Sequence, residues 1–105
     1  MNLVALPIKA DGAHFSFTTE LSGSTWGFEF RWNPRAEQWI MLVRDGNGTV
    51  LVSGIRIRVG LPLLQRFRAY GSLPPGEMIA LDDTGQNLDP GFADLGRRVM
   101  VYYAS

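Results

Sequence analysis

From Trp26 to Trp32 every second residue is aromatic: Trp26, Phe28, Phe30 and Trp32 fall on one side of an extended chain, with Thr25, Gly27, Glu29 and Arg31 on the other. A period of two is the signature of a strand that buries one face. Four large rings on that face suit the interior of a small β domain better than its surface. The segment before it, His14 to Leu21, repeats the pattern with Phe15, Phe17, Thr19 and Leu21 on one side and His14, Ser16, Thr18 and Glu20 on the other, and Leu21-Ser22-Gly23-Ser24 joins the two as a turn. Asn33-Pro34-Arg35-Ala36 supplies the next turn, its proline presetting φ. Gln38 to Asp45 then returns as a third strand with Trp39, Met41 and Val43 on one face. Ile40 and Leu42 make its other face apolar too, which predicts a central strand covered on both sides.

Asp45-Gly46-Asn47-Gly48 marks a hairpin, because Asp-Gly and Asn-Gly tolerate the positive φ of tight turns. In the strand that follows, Val50 and Val52 hold even positions while Ile55, Ile57 and Val59 hold odd ones. A β-bulge at Ser53-Gly54 would let both halves face the same core. Gly60-Leu61-Pro62 reads as the start of a short helix, with Leu63, Leu64 and Phe67 on one stripe and an end near Gly71. A loop with Pro74-Pro75-Gly76, a short strand from Glu77 to Asp82, a second loop from Asp83 to Gly91 and a closing strand from Arg97 to Tyr103 complete the chain. At the other end, the apolar run Leu3 to Ile8 is broken by Pro7 and lacks a basic leader, so it reads as a first strand rather than a signal peptide.

The expected fold is therefore mainly β: a small single-domain antiparallel meander or barrel-like sheet with one short helix, spanning residues 1–105. With 46% hydrophobic and 19% charged residues the composition is that of a packed core, and no apolar stretch approaches the roughly 18 residues a membrane span needs, so a soluble protein is expected. The absence of cysteine removes disulfides and thiolate metal sites.

Catalytic constellations are missing as well. His14 is the one histidine, on the polar face of its strand, so neither a triad nor a multi-histidine metal centre can be assembled from one chain. No Gly-x-Ser-x-Gly elbow or Ser-x-x-Lys pair occurs. The Asp45 loop departs from a calcium-binding loop at Val50 and Arg56, and the Asp83 to Asp94 loop departs from it at Gly85 and Leu88, although that acidic stretch could hold a cation weakly. No enzyme activity, cofactor or metal is expected. The alternative is a small ligand-binding domain that offers the Trp26 to Trp32 stripe to a carbohydrate or single-stranded nucleic acid.

Charge is balanced overall but segregated along the chain. Between Gly46 and Gly76 there are four arginines and no acid; between Glu77 and Asp94 there are five acids and no base. These either pair within the fold or make a dipolar surface that docks with neighbouring copies or a charged partner. Lys9 stands alone against nine arginines, and arginine is the cation enriched at protein interfaces.

The ordered set Phe28-x-Phe30-x-Trp32, Trp39-Ile-Met-Leu, Asp45-Gly-x-Gly, Leu51-Val-Ser-Gly54-Ile-Arg-Ile, Gly60-Leu-Pro-Leu-Leu64 and Leu95-Gly96…Tyr102 resembles the small baseplate plug proteins of contractile-tailed phages, of the cyanophage type. The resemblance spans almost the whole chain. It implies a virion structural protein of the tail baseplate, synthesised in the host cytoplasm and packing with hub, tube-initiating and wedge proteins near the central channel. A homo-oligomeric ring or several copies is expected, with no membrane and no specific nucleic acid as partner. Partner contacts are expected on the two loops beyond the helix and the arginine-bearing edge, with Arg56, Arg58, Arg66, Arg68, Tyr70, Leu73, Asp83 and Asp89 as interface residues.

Overall fold

The computed structural model describes residues 3–9, 12–70 and 73–105, and for Tyr70 the backbone alone. Among these residues seven strands form two sheets. Strands β2 (His14–Leu21), β3 (Ser24–Asn33), β4 (Gln38–Arg44) and β5 (Val50–Arg56) make a four-stranded antiparallel meander in the order β2-β3-β4-β5. Strands β1 (Leu3–Ala5), β6 (Glu77–Asp82) and β7 (Val99–Ala104) make a three-stranded antiparallel sheet in the order β1-β7-β6.

The alternations in the sequence decide which faces meet. Phe15 pairs with Phe30 and Phe17 with Phe28 across β2 and β3, and the Phe15 and Phe30 rings stack with centroids 5.3 Å apart. Phe28 and Phe30 are 1% and 0% exposed, joined in one buried cluster by Trp39, Met41 and Val43 of β4 and by Met78, Ala80, Val99, Val101 and Tyr103 of the other sheet. Trp26 and Trp32 pack against the cluster from its margins, and the Trp26 indole N–H donates to the Leu21 carbonyl at 3.1 Å. The aromatic stripe is thus the core face of the meander. Its two central rings present no platform to a sugar or a nucleobase.

The hairpin at Asp45 forms as expected, with one left-handed residue. Gly48, at φ 87°, donates to the Asp45 carbonyl at 3.1 Å, and the Asp45 side chain accepts from the N–H groups of Asn47 at 2.9 Å and Thr49 at 3.0 Å. This is a type I turn closed by a left-handed glycine. The bulge also forms: Met41 faces Ile55 and Val43 faces Val52, so β5 holds one more residue than β4 between those pairs, and Gly54 takes φ 77°. A second irregularity was not anticipated. Val43 faces Val52 while Arg44 faces Val50, which places Leu51 as another extra residue and turns Val50 to the solvent at 49% exposure.

Four further expectations are corrected. β4 is interior to its sheet, but only its inner face is covered, because the second sheet lies on that side; Ile40 and Leu42 remain half-buried. The helix does not begin at Pro62. The Gly60 and Leu63 N–H groups instead donate to the Ala80 and Met78 carbonyls of β6, both at 2.8 Å, which leaves only a 3-10 helix over Gln65–Tyr70. At the amino-terminal end Pro7 supplies no N–H, so β1 stops at Ala5, although Leu6 still donates to Val101 and is buried. The closing strand likewise starts at Val99 rather than Arg97.

Two glycines separate backbone strain from steric overlap. A Cβ at Gly54 would meet nothing within 4 Å, so Gly54→Ala carries only the cost of a left-handed alanine, about 1–2 kcal/mol in denaturant unfolding. A Cβ at Gly76 would overlap the Ala104 carbonyl oxygen and the Tyr103 ring, so Gly76→Ala is expected to lower stability more than Gly54→Ala in the same measurement.

Candidate interface

The outward face of the meander carries a basic row fixed by strand register. His14 faces Arg31, Arg31 faces Ile40 and Ile40 faces Arg56, so these side chains cross all four strands in line. Glu29 is the acid among them. Its carboxylate lies 2.9 Å from Arg44, 3.1 Å from His14 Nε2 and 3.5 Å from Arg31. The Arg44 hydrogen bond, with His14 behind it, outweighs partial burial and holds the Glu29 carboxyl below its ordinary range.

At the β5 end the row opens into a groove of about 300 Å³. Because Ile55 and Ile57 face the core, Arg56 and Arg58 face out along its rim, and Arg66 reaches it from the 3-10 helix, its guanidinium 5.4 Å above the centre of the Phe67 ring. Ile40, Leu61 and Phe67 give the groove an apolar floor. Among the described residues Arg56, Arg58 and Arg66 make no ion pair, and the Gln38 side-chain oxygen, buried against the same groove, accepts no hydrogen bond.

Of the other expected interface residues, Arg68, Leu73, Asp83 and Asp89 do not line this groove. Arg68 donates to the Pro74 and Gly76 carbonyls and lies 3.6 Å from Glu77, so it braces the loop before β6. Leu73 belongs to the buried cluster, and the Tyr70 side chain lies outside the described residues. Asp89 accepts from the Val59 N–H at 2.9 Å, while Asp83 is exposed in the turn after β6.

The acidic loop is organised by Arg98, a residue outside the expected interface set. The Arg98 guanidinium donates to Asp82, to Asp94 at 3.1 Å and to the carbonyls of Leu88 at 3.0 Å and Asp89 at 3.2 Å. Arginine therefore fills the place among these acids where a cation was envisaged. The Asp94-x-x-x-Arg98 spacing and the turn-forming Asp82-Asp83-Thr84-Gly85 were the available signals. The loop is also tied to the core: Trp39 donates its indole N–H to Gly91 at 3.0 Å, and Phe92 stacks on the Trp39 ring.

Burial of the Asp82 side chain would raise its carboxyl, but hydrogen bonds from the Thr84 hydroxyl and N–H, from Arg98 and from the Leu88 N–H prevail and bring it from 3.8 to about 2. Asp94 is lowered as well, chiefly by Arg98 and the Gly91 N–H. Carboxylates depressed in the folded state contribute stability that is complete above their unfolded pKa and lost as pH falls through the folded one. The urea midpoint should therefore fall between about pH 4 and pH 2. Asp82→Asn should lower the midpoint at neutral pH and flatten that acid limb.

The family model described as cyanophage baseplate Pam3 plug gp18 matches residues 3–105 of the chain. No curated protein matches it.

Proposed function

The chain belongs to the cyanophage baseplate plug family over essentially its whole length, and on that premise we propose that it packs with hub and tube-initiating proteins near the central channel of a contractile-tail baseplate. The family match carries this reading. Membership makes the chain a component of the virion tail that associates with other baseplate proteins. The finer reading adds wedge proteins as further neighbours, several copies or a ring per baseplate, and no catalytic turnover.

The surface supports an assembly role. An arginine-rimmed groove with an apolar floor has the composition of a protein contact, since interface cores favour arginine and apolar groups over lysine. Among the described residues no helix is long and apolar enough to cross a membrane. In purified tails the chain should be detected by mass spectrometry in the baseplate fraction at a fixed ratio to hub protein. Co-expressed with hub and tube-initiating proteins, it should co-elute with them in size-exclusion chromatography. A chain that is absent from tails and elutes as a monomer beside those proteins would refute the reading.

A further inference from the structure

We propose that the groove between β5 and the 3-10 helix receives an extended acidic segment of a different baseplate protein, its carboxylates on Arg56, Arg58 and Arg66 and an apolar side chain on the floor between them. This rests on the baseplate reading and names the chemistry of one neighbour. Three arginines rim the site without ion pairs among the described residues, so a partner's carboxylates need break nothing to reach them. Between them Leu61 is 47% exposed, and with Ile40 and Phe67 it offers a seat for one apolar side chain.

The apolar floor selects among polyanions. Ile40, Leu61 and Phe67 lie between the arginines and suit a peptide's apolar side chain, whereas a phosphodiester backbone would set charged oxygens against them.

A second copy of this chain is a poor occupant. Its acids are largely committed: Asp82 and Asp94 to Arg98, Asp89 to the Val59 N–H, Glu77 to the Leu64 N–H at 2.7 Å, Asp45 to its own hairpin and Glu29 to Arg44. Glu20, Glu37 and Asp83 remain on three separate elements, so among the described residues no extended stretch offers two uncommitted carboxylates.

The test places a photo-crosslinking residue in the groove, as Leu61→benzoylphenylalanine, in the full chain assembled with the other proteins of its baseplate. The crosslink is expected on a segment of another baseplate protein that carries at least two Asp or Glu residues. Arg56→Glu combined with Arg66→Glu should weaken co-assembly by about tenfold or more, and Arg56→Lys with Arg66→Lys should retain much of it. Circular dichroism of the charge-reversed protein separates lost docking from lost folding, because both sites are exposed. A crosslink to a second copy, to nucleic acid or to a segment without acids overturns the inference, as does undiminished assembly of the charge-reversed protein. A wild-type chain that never enters the baseplate overturns the proposed function and this inference with it.

Discussion

The left-handed turn at Gly54 is the constraint on which both faces of the molecule depend. In an unbroken strand, Val52 facing inward would carry residues 54, 56 and 58 inward as well, delivering two guanidinium groups to the interior. The extra residue at Ser53-Gly54 reverses the parity, so Ile55 and Ile57 are 2% and 1% exposed and Arg56 and Arg58 point to solvent. A one-residue slip in register exchanges every side chain between faces, and an unpaired buried cation costs several kcal/mol. Core and groove are therefore set by the same backbone torsion, φ 77° at Gly54.

The arginines divide by what surrounds them rather than by where they lie in the sequence. Arg98, with a side chain only 15% exposed, spends its donors on two carboxylates and two carbonyls, and through them converts a loop rich in Gly, Asp and Pro into a fixed element. Arg68 does the same for the carbonyls of Pro74 and Gly76. Both exploit the planar fork of five donors that lysine lacks, which gives a structural meaning to part of the arginine bias. Arg31 and Arg44 are held by Glu29, and of the arginines without an ion pair among the described residues Arg56, Arg58 and Arg66 are the ones that line the groove.

Most of the strand framework is legible in the sequence because period-two alternation is a local signal: Phe15 to Leu21, Trp26 to Trp32 and Val99 to Tyr103 all turn the expected residues inward. Even the parity change of β5 can be read, since Ile55 and Ile57 announce the new phase. The extra residue at Leu51 cannot, because valine is compatible with either face and Val50 carries no sign of its exposure. The same limit applies at Gly60-Leu61-Pro62, whose local signal favours a helix while the N–H groups of Gly60 and Leu63 are claimed by the carbonyls of Ala80 and Met78 in β6. Segregated charge pointed to an edge and two loops, but it could not distinguish Arg68, committed to a loop, from Arg66, which sits on Phe67 at the groove. That distinction lives in long-range contacts.

Residues 57–63 are where the two sheets are stitched together, and the groove lies along this seam. Ile57 donates to Trp39 of the meander at 2.9 Å; three residues later Gly60 donates to Ala80 of the other sheet, followed by Leu63 to Met78. The groove is lined from β4, from the end of β5 and from residues 61–67, so an occupant touches groups anchored to both layers. Contacts across the seam oppose sliding of the layers, because movement of either one changes the spacing between Arg56 on β5 and Arg66 beyond the crossover. A packed core resists continuous deformation, so a segment seated between these arginines couples to the whole domain rather than to a loop. For a protein whose family role is to sit within a larger assembly, the seam is the place where a small docked segment bears on both sheets at once.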